Sequence, residues 1–200
     1  MFRRFLGLPE RPPGSSGPDA ARSAEEGLTG APSAFGETDT VRRIVARLDA
    51  LPPDRARHLA GFAYILARAA EADLDISAEE TAVMEHAIVE FGGLDEAQAI
   101  LVTQMAKLQA RARGATEDFL VTREFARIAS DEEKKAVVRT AFTVVAANDS
   151  ISADEASVVN EIARELDIDR PTLNAIREEF VEKIEAIRAA HRLEGSSPGG

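Results

Sequence analysis

The chain carries one short pattern twice, at a fixed spacing. Ala72 to Met84 reads ADLDISAEETAVM, and Ala147 to Val159 reads ANDSISADEASVV. The matching positions are Ile76 and Ile151, Ser77 and Ser152, Ala78 and Ala153, Glu80 and Glu155, and Val83 and Val158. A second copy within one chain indicates a duplicated structural unit. Each copy follows one apolar helical run and precedes another, so we expect two similar helix–acidic turn–helix units.

Helical periodicity extends over most of the chain. The pattern Ser-x-x-Glu at Ser77, Ser130 and Ser152 is that of a capping box, which begins a helix. Convincing period-two alternation and hairpin turn pairs are missing. We expect helices over residues 41–51, 54–72, 77–92, 95–113, 116–129, 130–145 and 152–166, and a last helix from Asp169 through Ile187. The sequence therefore predicts an all-α fold, a compact bundle of seven to eight helices.

Composition changes towards both ends of the chain. Residues 10–36 are rich in Pro, Gly, Ser and Ala, and the chain ends in GSSPGG. We expect a flexible N-terminal tail over residues 1–37, a helical domain over residues 38–193 and a disordered tail over residues 194–200. The apolar and basic residues of the N-terminal MFRRFL leave open a peripheral membrane association or a docking peptide.

The chain has a formal net charge of -11 and no cysteine. The negative charge argues against a nucleic-acid partner, because phosphates would be repelled. The lack of cysteine excludes disulfides and thiolate zinc sites and fits a reducing compartment. The longest uncharged apolar run, Leu59 to Ala67, is far shorter than a membrane span. We expect a cytoplasmic protein, with the inner face of the membrane as an alternative location, and an unidentified protein partner.

Carboxylate and amide side chains gather at both turns. Oxygen ligands of this kind suit hard divalent cations such as Ca²⁺ or Mg²⁺, so we predict a metal site. Its candidate ligands are Asp73, Asp75 and Glu80 in the first copy and Asn148, Asp149 and Glu155 in the second. The loop of calcium-binding helix-loop-helix proteins does not fit, because its central Gly is replaced by Leu74 and Asp149.

Helix capping offers a metal-free explanation for part of this set. Glu80 and Glu155 stand at the third helical position after Ser77 and Ser152, where a carboxylate accepts a hydrogen bond from the cap's backbone N–H. Capping does not explain the acidic and amide residues that precede the caps, although turns favour Asp and Asn in general. Both explanations stay open at the level of sequence.

The two copies resemble a signature, Asp-Gly-x-Ile-x-x-x-Glu, that occurs twice in the TerB tellurite-resistance family. Here Asp73 and Glu80 match its ends in the first copy, and Asn148 and Glu155 match them in the second. The chain departs from the signature at Leu74 and Asp149, where Gly is expected, and at Asn148, where Asp is expected. The resemblance covers residues 41–190. The same domain type forms the N-terminal part of the co-chaperone DjlA.

The resemblance implies a helical bundle with the acidic turns close together, a divalent-metal site, and an adaptor role in stress responses in the cytoplasm or at the inner membrane. We therefore predict a non-enzymatic adaptor or sensor domain that binds a divalent cation between the turns. The alternative is a metal-free protein–protein interaction module. An enzyme is the third hypothesis, since paired carboxylates can do acid–base work, but no other motif points to a substrate.

Overall fold

The computed structural model describes residues 39–112 and 115–184. These residues form eight α-helices: α1 Asp39–Asp49, α2 Pro53–Ala70, α3 Ala78–Gly92, α4 Glu96–Ala112, α5 Ala115–Ile128, α6 Asp131–Val145, α7 Ala153–Glu165 and α8 Arg170–Glu178. Short 3₁₀ helices cover Glu71–Asp73 and Val181–Lys183. The predicted all-α fold and helix count are confirmed. That the bundle is organised as two repeated units stays a prediction.

The chain divides after Pro52 into two compact units. Helix α1 and residues 50–52 are the described part of the first unit, and Arg47 in the last turn of α1 complements the negative end of the helix dipole. The second unit contains helices α2 to α8. Both predicted tails, and the predicted domain boundaries at residues 37 and 193, lie outside the described residues and stay predictions.

Helix α2 is the centre of the second unit. Every residue from Gly61 to Ala70 is buried, and the helix contacts α3, α4, α5, α6 and α7. A helical segment that is buried on all sides needs such neighbours, because no side of it faces water. Phe62 stacks on Phe91 of α3 with ring centroids 3.9 Å apart. No helix in the described ranges is long and apolar enough to cross a membrane.

The predicted helix starts are confirmed by hydrogen bonds. Capping boxes with both hydrogen bonds present begin α3 at Ser77, α6 at Ser130 and α7 at Ser152. Helix α3 ends at Gly92, and Gly93 caps it with φ of 57°, in the left-handed region that glycine adopts without steric cost. The Ser-x-x-Glu pattern and the glycine after a helix predict helix ends well, because each satisfies backbone groups that a helix end leaves unpaired.

The predicted extent of the last helix is wrong. Helix α8 ends at Glu178, and the chain continues through a single 3₁₀ turn to Ile184, which is extended with ψ of 114°. The backbone N–H of Ile151 donates to the carbonyl of Lys183 (2.8 Å), and Ile151 and Ile184 form a parallel bridge. We call the segment Val181–Ile184 the C-terminal strap. Its apolar residues have the spacing of a continuing helix, but in the structure the strap packs on the second acidic turn.

A buried ion pair connects α2, α5 and α7. The Arg68 guanidinium donates twice to the Glu165 carboxylate (2.6 and 3.2 Å) and once to the Thr122 hydroxyl (3.1 Å). Its Nη2 also lies 3.2 Å from a carboxylate oxygen of Glu161. Arg68 and Glu165 are both buried, so each depends on the other for compensation of its charge.

We expect Arg68→Met to lower the free energy of unfolding by about 3–5 kcal/mol, because it leaves the Glu165 carboxylate buried without its partner. The Arg68→Met/Glu165→Met variant should recover most of this loss, since an apolar pair of similar volume has no charge to compensate. Urea unfolding of the two variants and the parent measures both effects. A double variant as unstable as Arg68→Met alone would contradict this assignment.

Candidate functional site

The two acidic turns have the same backbone conformation. Leu74 and Asp149 occupy matching positions and are left-handed, with φ of 70° and 69°. The N–H of Leu74 donates to the Glu71 carbonyl (2.9 Å), and the N–H of Asp149 donates to the Ala146 carbonyl (3.1 Å). The departure from Gly at these positions therefore leaves the turn geometry in place. A non-glycine residue in this region costs on the order of 1–2 kcal/mol.

The residue before each left-handed position closes the turn with its own side chain. Asp73 Oδ1 accepts a hydrogen bond from the Asp75 N–H (3.1 Å), and Asn148 Oδ1 accepts one from the Ser150 N–H (3.2 Å). Asp and Asn are both favoured in turns because they form this bond. One role of Asp73 and Asn148 is therefore structural, and Asn148 fills it as well as Asp would.

A capping box follows each turn. Ser77 N–H donates to Glu80 Oε2 (2.8 Å), and Glu80 N–H donates to Ser77 Oγ (3.1 Å). Ser152 N–H donates to Glu155 Oε2 (2.7 Å), and Glu155 N–H donates to Ser152 Oγ (3.2 Å). The predicted capping role of both glutamates is confirmed. Each box uses Oε2 and leaves Oε1 for other partners.

Burial distinguishes these two boxes from an ordinary helix cap. Glu80 and Glu155 are each only 2% exposed. Within the described residues, Oε1 of each carboxylate is buried and has no hydrogen-bond partner. A buried carboxylate oxygen that has lost water without gaining a donor or a cation is costly. The two oxygens are therefore among the buried polar atoms of the described residues that lack a partner.

Burial raises the pKa of Glu80, and the negative charges of Glu155 and Asp73 raise it further, against the hydrogen bonds from Ser77. Glu133 provides a comparison within the same chain. It closes the same kind of box with Ser130, but hydrogen bonds from Ser130 lower its pKa, because its side chain is 40% exposed. The pKa values of Glu80 and Glu133 shift in opposite directions although both residues close a capping box. The difference therefore arises from how deeply the fold buries each carboxylate.

The structure places the predicted ligands in different surroundings. Glu155 and Asp73 each lie within electrostatic range of Glu80. The Asp149 carboxylate lies 3.3 Å from the Lys183 ammonium, and Asp75 and Asn148 are exposed. In residues 39–112 and 115–184, no group of three or more His, Asp or Glu side chains is arranged to hold a metal ion. Metal binding by the predicted set stays a prediction.

Lys183 is a site residue that the sequence did not reveal. Its Nζ donates to the Ala146 carbonyl (3.1 Å) and to Asp149 Oδ1 (3.3 Å). The predicted last helix runs through Ile187 and includes Lys183 as an ordinary helical residue, so no sequence pattern indicates this contact. The end of α8 at Glu178 is what allows the lysine to turn back onto the second acidic turn.

A pocket of about 290 Å³ lies beside the first turn. Its lining includes Leu74, Arg111, Asp118 and Val158. Leu74 is 82% exposed, which is unusual for a large apolar residue in a left-handed turn. The pocket and Leu74 together form a contact surface of mixed apolar and charged groups next to the acidic turn.

With a metal chelator present at pH 7, we expect Glu80→Gln to raise the free energy of unfolding by about 1 kcal/mol, the order of one buried polar interaction. The amide keeps an oxygen for the Ser77 cap but carries no buried charge. Glu133→Gln is the matched control. It should lower the stability, because that exposed carboxylate is stabilised by its hydrogen bonds and by the helix dipole. Chemical denaturation measures both.

The same two variants should respond oppositely to pH. The pKa of Glu80 is raised above its usual 4.5, so its contribution is fully present below pH 4.5 and is lost as pH rises through the folded-state pKa. The gain from Glu80→Gln should therefore vanish towards pH 4. The pKa of Glu133 is lowered, so its contribution is present above pH 4.5 and is lost at lower pH. If the stability changes of Glu80→Gln and Glu133→Gln vary with pH in the same direction, the opposite pKa shifts of the two glutamates are contradicted.

Comparison with known protein families identifies a related family. The family model described as tellurite resistance protein TerB matches residues 60–178. No curated protein and no solved structure matches the chain at a significant level. The matched range contains most of α2, both acidic turns, both buried capping boxes and the whole of α8. The chain belongs to the TerB family.

Proposed function

We propose that this TerB domain binds a divalent cation at the paired glutamates Glu80 and Glu155 and acts without catalysis, as an adaptor or sensor in a tellurite- or metal-resistance-like stress response. The observation that carries the proposal is the pair of buried Oε1 atoms without hydrogen-bond partners. A cation would neutralise the repulsion between the two carboxylates and replace the water that burial removes.

The donor set favours a hard cation of the Ca²⁺ or Mg²⁺ class. All candidate donors are oxygens, and Mg²⁺ in particular is often held by one or two carboxylates while it keeps several waters. A pair of glutamates therefore supplies as many protein carboxylates as such an ion often takes. Asp73 adds negative charge beside Glu80, and Asp75, Asn148 and Asp149 lie in the turns that lead to the two caps.

A cation bound by these two glutamates would link helices that belong to different parts of the chain. The first turn links α2 to α3, and the second links α6 to α7. The 3₁₀ helix Glu71–Asp73 of the first turn contacts α7, the helix that follows the second turn, and this contact supports the proposal. An ion bound by Glu80 and Glu155 would join the N-termini of α3 and α7. Its occupancy would then change the surface that the turns present to a protein partner.

The alternative function is a metal-free protein–protein interaction module. The exposed side chain of Leu74 and the adjoining pocket support it, because a surface that combines apolar and charged groups suits a protein partner. In this alternative, Glu80 is protonated over part of the pH range and the glutamates only cap helices. The net charge of -11 favours a partner other than nucleic acid in both cases. A place in the cytoplasm or at the inner face of the membrane belongs to the same proposal.

Metal titration of thermal unfolding tests the proposal. We expect Ca²⁺, Mg²⁺ or Mn²⁺ to raise the stability of the chelator-stripped protein, by about 2.7 kcal/mol at a hundredfold excess over the dissociation constant. The Glu80→Gln/Glu155→Gln variant should lose this response while remaining folded, because both amides can still accept the cap hydrogen bonds. Glu133→Gln, which alters an exposed box, should keep it.

The result separates the two candidate functions. A response that only the double glutamine variant loses assigns the ion to Glu80 and Glu155. A protein whose unfolding is unchanged by each ion does not bind metal in this range, and the interaction module becomes the better account. A response that survives in the double variant places the ion elsewhere in the chain.

A further inference from the structure

A further pocket lies where the starts of α2 and α6 meet the ends of α3 and α5. Its volume is about 420 Å³, and none of its described lining residues belongs to either acidic turn. The lining combines the apolar side chains of Leu59, Phe91 and Ile128 with polar ones that include His58 and Glu133. We call it the His58 pocket. Its size, and a mostly apolar wall with a few polar groups, are typical of sites for small ligands.

The His58 imidazole brings a nitrogen without a partner to this pocket. Its Nε2 is buried and has no hydrogen-bond partner within residues 39–112 and 115–184. Glu133 Oε1 lies 3.7 Å away, which is beyond the length of a hydrogen bond. The ring packs edge-on against Phe125, with centroids 4.8 Å apart, and at a tilt against Phe91, at 5.2 Å. A buried nitrogen in this position is costly, and a ligand that donates to it would remove the cost.

Glu133 places a carboxylate oxygen beside that nitrogen. Its Oε2 accepts a hydrogen bond from the Ser130 N–H (2.7 Å), while its Oε1 is the oxygen that lies 3.7 Å from His58 Nε2. When Nδ1 carries the proton of the neutral imidazole, Nε2 is an acceptor as well. One donor group can bridge two acceptors at this separation, since hydrogen bonds of about 2.9 Å to each of them span it.

The charges of the lining favour a cation over an anion. Asp54 and Glu133 contribute two carboxylates and Arg55 contributes one guanidinium, so with a neutral imidazole the lining has one negative charge in excess. The Arg55 charge already has a partner, because its Nη2 donates to the Gly92 carbonyl (2.7 Å) at the C-terminal end of α3. The net charge of -11 on the whole chain acts in the same direction.

We propose that the His58 pocket binds an organic cation, namely a guanidinium or primary ammonium group on a short apolar stem. The head group donates to Glu133 Oε1 and to His58 Nε2, and the stem packs against the apolar wall. An aromatic ring in the wall adds attraction where the cation lies over its face. Free small amines and guanidines carry such a group, and so do the lysine and arginine side chains of a protein partner. The site is separate from the divalent cation proposed at the acidic turns.

The first experiment titrates the isotope-labelled full chain with butylguanidinium at neutral pH and follows the ring signals of His58 and Phe91 by NMR. We expect both signals to shift and to saturate at millimolar concentrations. Butylurea has nearly the same shape but no charge, so it should cause no saturable shift. Inorganic phosphate tests the opposite charge and should also leave the His58 signal in place.

Two neighbouring glutamates provide matched variants for the same titration. Glu133→Gln removes the charge beside His58 and keeps an oxygen for the Ser130 cap, so it should weaken butylguanidinium binding about tenfold, the order of one charge-assisted hydrogen bond. Glu132→Gln removes the same charge one residue away. Its affinity should equal that of the parent, because Glu132 pairs with Lys135 and does not line the pocket. His58→Phe keeps a ring but removes Nε2, and it should weaken binding as Glu133→Gln does.

A blocked peptide, acetyl-Gly-Arg-Gly-amide, distinguishes the two sources of the cation. If the peptide binds as tightly as butylguanidinium, the pocket takes a basic side chain of a protein partner. If only butylguanidinium binds, the pocket takes a free small molecule. Three results would overturn the cation site: no response of the His58 ring to butylguanidinium, an equal response to butylurea or phosphate, and an equal loss of affinity in Glu132→Gln and Glu133→Gln.

Discussion

The burial of two capping-box glutamates is the constraint on which the second unit depends. A capping box satisfies one carboxylate oxygen and leaves the other to its surroundings. At Glu133 the side chain is 40% exposed and solvent reaches it, whereas at Glu80 and Glu155 the fold excludes water. The helix starts at α3 and α7 thus place two carboxylates in the protein interior, and burial leaves one oxygen of each without a hydrogen-bond partner within the described residues.

The rest of the unit holds these two helix starts in position. Helix α2 is buried along its C-terminal half and leads directly into the first turn. Arg68, two residues before the end of α2, is bound to Glu165 at the end of α7, the helix that Glu155 begins. The C-terminal strap fixes the second turn through Ile151. An interior ion pair and a backbone hydrogen bond therefore set the geometry around the paired carboxylates.

Much of the fold could be predicted from the sequence, because helix caps and turns are local. The boxes at Ser77, Ser130 and Ser152 and the left-handed Gly93 each follow from a few neighbouring residues. What distinguishes Glu80 from Glu133 could not be predicted, since the motif is the same and only tertiary burial differs. Lys183 was missed for a related reason. Its role needs the chain to leave the helical path after Glu178, and the apolar spacing of Phe180 and Ile184 suits a continuing helix equally well.

The most direct test of the central claim is an anomalous-scattering map from crystals grown with Mn²⁺. Our account predicts one peak within about 2.5 Å of both Glu80 Oε1 and Glu155 Oε1, with waters completing the coordination. It also predicts that the peak disappears in Glu80→Gln/Glu155→Gln crystals. A map without a peak at these oxygens, in a protein that retains both capping boxes, would contradict the account and identify the two glutamates as structural caps.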